Sequence, residues 1–107
     1  MYANHFLNKQ QTKKRIYDIR VYVEKPTSNS IRLNAKLNGL TITKYATQLL
    51  LLGLGKQVQK EYYAVSNELV HVKVDRITYE KILGYSVQWR CSIREAAYHI
   101  LMAGVKL

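Results

Sequence analysis

The chain reads as an α+β protein, mostly α, in which one strand-helix-turn-helix unit is written twice. Three observations predict this. First, Ile42, Tyr45, Ala46, Leu49, Leu50, Gly53 and Leu54 are answered by Ile93, Ala96, Ala97, Ile100, Leu101, Gly104 and Val105, each 51 positions later. A fixed offset marks an internal repeat. Second, the same offset carried upstream sets Ile19, Val21 and Val23 against Val70, Val72 and Val74, two short alternations with the period of a strand. Third, at 107 residues the chain is one domain by length, and either half alone is too short to bury much apolar surface. The halves are therefore expected to share a core. The divisions are a basic flexible arm over 1–14, a first copy over 15–55, a linker over 56–68 and a second copy over 69–107.

The arm carries Lys9, Lys13 and Lys14 among Asn and Gln with little periodicity, the composition of a mobile segment, either merely solvated or in contact with phosphate. From Tyr17 to Val23 apolar residues alternate with Asp18, Arg20 and Tyr22, the pattern of a strand with one buried face. Glu24 stands where an N-cap belongs, and Pro26 suits a first helical turn because its missing donor would be unpaired there anyway. This helix is predicted to run to about Leu37, where Asn38-Gly39-Leu40 stops it. Thr41 opens the next helix, whose apolar stripe at i, i+3, i+4, i+7 and i+8 faces a core.

The polar, Tyr-containing linker from Lys56 to Glu68 is read as lengthening that helix before crossing to the second strand, Leu69 to Val74, in which His71 and Lys73 separate the valines. Extended chain covers roughly 3.3 Å per residue, enough for the linker to span a small domain and for the strands to pair within one chain. Asp75 is the next N-cap, and its helix is expected to reach about Trp89. The turn Arg90-Cys91-Ser92 has no glycine. Ser92-Ile93-Arg94-Glu95 then forms a capping box, the serine accepting from the amide three residues on and the glutamate reaching back; in the first copy Lys44 replaces the glutamate.

Lys and Arg number 17 against 7 Asp and Glu, a formal charge of +10, which suits a polyanion, either nucleic acid or an anionic membrane. No apolar run nears the roughly 18 residues of a membrane span, and the N-terminus lacks a signal-peptide core. An intracellular protein that does not enter the membrane is expected. Cys91 is the only cysteine, so an intrachain disulfide is excluded. It matches Leu40 in the first copy and reads as a small apolar residue. His5, His71 and His99 show neither metal-ligand spacing nor a carboxylate partner nearby in sequence. No metal, cofactor or catalytic residue is expected, since paired carboxylates, a nucleophile with its base and a glycine-rich phosphate loop are all missing.

Strand, helix, turn, helix with Ser or Thr opening the second helix resembles the ribbon-helix-helix family of DNA-binding proteins. The closer match is HVKVDRITYEKILGYSVQWRCSIREAAYHILMAGVKL; the looser one, IRVYVEKPTSNSIRLNAKLNGLTITKYATQLLLLGL, keeps every core position. The resemblance implies a two-stranded antiparallel β-ribbon over a four-helix core, with the outer face of the ribbon in the DNA major groove. That groove is about 12 Å wide and admits such a ribbon. The implied base contacts are Arg20, Tyr22, His71 and Lys73, while Asp18 and Leu69 depart from the polar or basic types usual there. The implied phosphate contacts are the helix-opening residues Thr41, Ile42, Thr43, Ser92, Ile93 and Arg94, whose free amides carry partial positive charge.

Arg20 is expected to face His71 and Tyr22 to face Lys73 across a pseudo-twofold, so the preferred double-stranded DNA site should be an imperfect palindrome. Residues 1–53 hold 9 of the Lys and Arg and 2 of the acids, placing more of the phosphate contact on the first copy. Leu51 and Leu52 broaden the apolar face of its second helix, either as thicker core or as a surface joining neighbouring units. The implied activity is transcription regulation, such as repression, by occupying or bending a promoter site, by one chain, a homodimer or a cooperative assembly on DNA. An architectural or plasmid-transfer DNA accessory protein is the alternative. An antitoxin-type interaction module ranks lower, because the chain stops directly after its last helix. The Tyr- and Lys-rich composition and small format also resemble regulators of archaeal viruses, which would place the protein in the host cytoplasm.

Overall fold

Two alternating segments build the sheet in a computed structural model of the chain, which describes residues 15–63 and 66–106. Strand β1 (Tyr17–Val23) pairs antiparallel with β2 (Glu68–Val74), from Tyr17 opposite Val74 to Val23 opposite Glu68, with Arg20 opposite His71 at the centre. Ile19, Val21, Val23, Val70, Val72 and Val74 all point to one buried face. β-branched side chains suit that pleated surface, yet two strands alone are marginal in water. Four helices supply the missing cover: α1 (Lys25–Leu37), α2 (Ile42–Leu54), α3 (Arg76–Trp89) and α4 (Ile93–Val105). The fold is thus α+β and mostly helical, with one two-stranded antiparallel sheet. The arm over 1–14 lies outside the described residues.

Ala46, Leu49 and Leu50 of α2 and Ala96, Ala97, Ile100 and Leu101 of α4 share one apolar cluster with the strand valines, joined by Ile31 of α1 and Ile82 of α3. At the crossing of α2 and α4 the two backbones touch. A methyl placed on Gly53 would fall on the carbonyl oxygen of Ile100 and lie 2.9 Å from the amide nitrogen of Gly104. One placed on Gly104 would fall on the carbonyl oxygen of Leu49, 2.7 Å from its carbon. The contact is reciprocal, since Gly53 and Gly104, like Leu49 and Ile100, stand 51 residues apart.

Both first helices end in the same turn by different means. After α1, Gly39 takes φ 67°, Leu40 donates to the Ala35 carbonyl at 2.9 Å and Gly39 to that of Lys36 at 3.1 Å, a Schellman arrangement. After α3, Arg90 takes the left-handed position at φ 53°, while Cys91 donates to Ser86 at 3.0 Å and Arg90 to Val87 at 3.2 Å. A side chain there costs about 1 kcal/mol that glycine avoids. Arg90→Gly should therefore raise stability by about 1 kcal/mol, seen as a higher urea midpoint at unchanged slope. A midpoint that stays put or falls would contradict this account of the turn.

Five expectations need correction. The linker does not lengthen α2, which stops at Leu54 with Gly55 as its C-cap. Contacts with the second half draw the segment out instead: Val58 and Tyr63 pack on the core, Lys60 Nζ donates to the Trp89 carbonyl at 3.3 Å, and Lys106 pairs with Glu61 at 2.6 Å. β2 begins at Glu68, one residue early, because Val23 still has a partner to pair with there. Glu24 makes no side-chain capping bond, whereas Asp75 accepts from the Thr78 amide at 2.9 Å; the shorter aspartate suits the geometry better. The capping box is only half formed. Ser92 accepts from the Glu95 amide at 3.1 Å, but the Glu95 carboxylate turns to His99 Nε2 at 3.2 Å, with Lys60 Nζ 3.8 Å away. His99 therefore does have a carboxylate partner nearby, four residues earlier on its own helix.

Candidate nucleic-acid interface

Opposite the valine face, the ribbon presents Asp18, Arg20 and Tyr22 from β1 and Leu69, His71 and Lys73 from β2. Strand alternation leaves these side chains no place in the core, since a one-residue slip would turn the valines outward. Arg20 and Lys73 are exposed, and neither cationic group has a hydrogen bond or ion pair among the described residues. The Lys73 amide is committed: it donates to Thr47 Oγ1 at 3.0 Å, and that hydroxyl donates to the Thr43 carbonyl at 2.7 Å. A hydroxyl of α2 thereby satisfies part of the free edge of β2, fixing the strand from which the Lys73 side chain stands.

The expected facing of side chains holds at the centre and fails beside it. Arg20 is opposite His71, but Tyr22 is opposite Leu69 and Lys73 opposite Asp18. In an antiparallel pair related by a pseudo-twofold, only residues on the axis face their own counterparts, and the axis passes through Arg20 and His71. One end of the face is therefore charged and the other apolar. Asp18, which sequence reasoning set aside, holds His71: Nδ1 lies 3.0 Å from Oδ1 and 3.2 Å from Oδ2. This is the diagonal contact that an antiparallel register gives to residues on one face, so the signal was the register, not the residue type.

The helix-opening residues form two similar sites. Thr41 accepts from the Lys44 amide and Ser92 from the Glu95 amide, both at 3.1 Å. The preceding amides of each first turn, Ile42 and Thr43 in α2 and Ile93 and Arg94 in α4, have no acceptor among the described residues, as helix geometry requires. Ile42 and Ile93 pack their side chains against the core, leaving only their backbone N–H groups for an anion. Losing the hydroxyl in Ser92→Ala should cost about 1 kcal/mol of stability through the cap, measured by urea unfolding.

Groups with displaced titration lie in the linker, in the turn between α3 and α4, and in α4. The bond and charge of Lys106 hold the Glu61 carboxyl below its ordinary range. Burial pushes the Cys91 thiol up, assisted by Glu95, in keeping with a small apolar role and a weakened thiolate. Burial also raises the Tyr98 phenol, whose ring meets Tyr63 edge to face at 5.0 Å. Among the described residues no group of three or more His, Cys, Asp or Glu could hold a metal ion, and no helix is long and apolar enough to cross a membrane. No protein-family model, curated protein or solved structure matches this chain.

Proposed function

We propose that this protein is a sequence-specific regulator of transcription that binds double-stranded DNA without catalysis, a tandem form of the ribbon-helix-helix motif that lays its ribbon in the major groove. The observation that carries this reading is the outer ribbon face, where Arg20 and Lys73 stand exposed, without a side-chain partner among the described residues, on a backbone whose other face buries Ile19 and all five strand valines. Cationic donors of these types pair with the guanine acceptors of the groove. Tyr22 and His71 complete the base-contacting set. The open amides of Ile42, Thr43, Ile93 and Arg94, with the hydroxyls of Thr41 and Ser92, suit phosphate oxygens, which position a protein without reading sequence. A net charge of +10 adds the long-range attraction. Both motifs lie in one chain, so one chain supplies a complete ribbon, and its unequal faces call for an imperfect palindrome. Such a protein acts where DNA is transcribed, inside a cell.

Selection of bound duplexes from a random pool, followed by counting chains per duplex, tests this. One short imperfect palindrome holding one chain is expected, with log affinity falling linearly in log salt by about 0.9 for each phosphate neutralised. Long duplexes coated without sequence preference would overturn specific readout in favour of an architectural role.

A further inference from the structure

We infer that Asp18 is a positioning residue that locks His71 with its proton on Nδ1, making Nε2 a hydrogen-bond acceptor beside Arg20, and that the pair reads a G·C base pair at the centre of the site. This rests on the DNA-binding reading above. Both carboxylate oxygens lie close to Nδ1, at 3.0 and 3.2 Å. An ionised carboxylate can only accept, so Nδ1 must donate. A neutral imidazole has a single N–H, so Nε2 keeps its lone pair.

The side chain of His71 is 36% exposed, leaving the ring open on the outer face. The other charged groups of that face are Arg20 directly opposite and Lys73 two residues along β2, with Asp18 across from Lys73. The forked guanidinium of Arg20 needs two adjacent acceptors, which only guanine offers, as N7 and O6. The acceptor beside it needs a donor, which cytosine offers as its N4 amino group. A donor fork and an acceptor on opposite strands of the ribbon thus complement the two bases of one pair. Asp18 itself, a carboxylate facing a polyanion, would be costly on this surface without such a task.

Two measurements test the assignment. Imidazole nitrogen NMR of the free protein, assigned with His71→Asn, should show the Nδ1–H tautomer for His71 and its loss in Asp18→Ala. Competition binding should then compare the selected duplex with one carrying A·T at the centre. Wild type should prefer G·C by about tenfold, the size of a typical mismatch penalty. In Asp18→Ala and His71→Ala that preference should drop to about threefold, the part that Arg20 keeps through guanine, and Asp18→Asn, which keeps an acceptor oxygen, should retain most of the full preference. Asp18→Ala should also bind random duplex at least as tightly as wild type, because a negative charge has gone. An Nε2–H or cationic ring overturns the inference and leaves the DNA reading standing, as does an unchanged central preference in Asp18→Ala. A locked tautomer in a protein that selects no duplex overturns both.

Discussion

Gly104→Ala should destabilise the folded chain by about 3 kcal/mol, with a comparable loss for Gly53→Ala, because one methyl at either site requires α2 and α4 to move apart. The obstacle is backbone. The new carbon would meet the Leu49 carbonyl in one case and the Ile100 carbonyl in the other, and neither can rotate away as a side chain can. The separation would also open the cluster in which Leu50, Ala97, Ile100 and Leu101 are fully buried beneath the ribbon. A small domain holds about 5–15 kcal/mol in total, so the loss is a large share. Gly84 provides the control. It too is helical, but a methyl there meets nothing within 4 Å, and Gly84→Ala should stabilise by about 0.5–1 kcal/mol through helix propensity. Urea unfolding of the three variants checks both signs; a neutral Gly104→Ala would refute the close crossing.

Arg20→Ala should weaken binding to the selected duplex by about 2 kcal/mol, roughly 30-fold, and binding to random duplex much less. Arg20 stands beside the pseudo-twofold axis, its guanidinium without a partner among the described residues, so on the proposed reading its loss removes a bidentate donor from the centre of the ribbon. Folding should hardly change, within about 0.5 kcal/mol, since an exposed side chain without a partner among the described residues supports little. Lys73→Ala, at the charged end of the ribbon, should behave similarly with a smaller loss, because an ammonium lacks the fork. Fluorescence anisotropy on both duplexes measures the ratio. Equal losses on selected and random DNA would mean that Arg20 supplies charge only, and the ribbon would then not be the reading surface.

Much of the architecture follows from short-range rules. Alternation at Ile19, Val21 and Val23 and at Val70, Val72 and Val74 specified both strands and the face they bury. Gly39, Thr41, Asp75 and Ser92 marked helix ends because each satisfies a backbone need that its residue type serves best. Where two partners competed, local rules failed. Glu95 had a place in a capping box, but the buried His99 ring offered its carboxylate a donor in a drier setting. The linker could have continued α2, but Tyr63, Lys60 and Glu61 found partners on the second half. The outward residues of the ribbon were legible from alternation, but of their pairs only Arg20 with His71 was, since which side chains meet across a ribbon depends on register.

The sequence by itself determined the element order, the buried face of each strand and the residues left to face outward, because these depend on periodicity and on backbone donors and acceptors close along the chain. Tertiary structure alone decided that Gly53 and Gly104 let two helices touch, that Asp18 holds His71 and that Lys73 stands opposite Asp18. Each of those is a contact between halves about 50 residues apart. A repeat reveals that two segments are alike, while their relative placement comes only from packing them against each other.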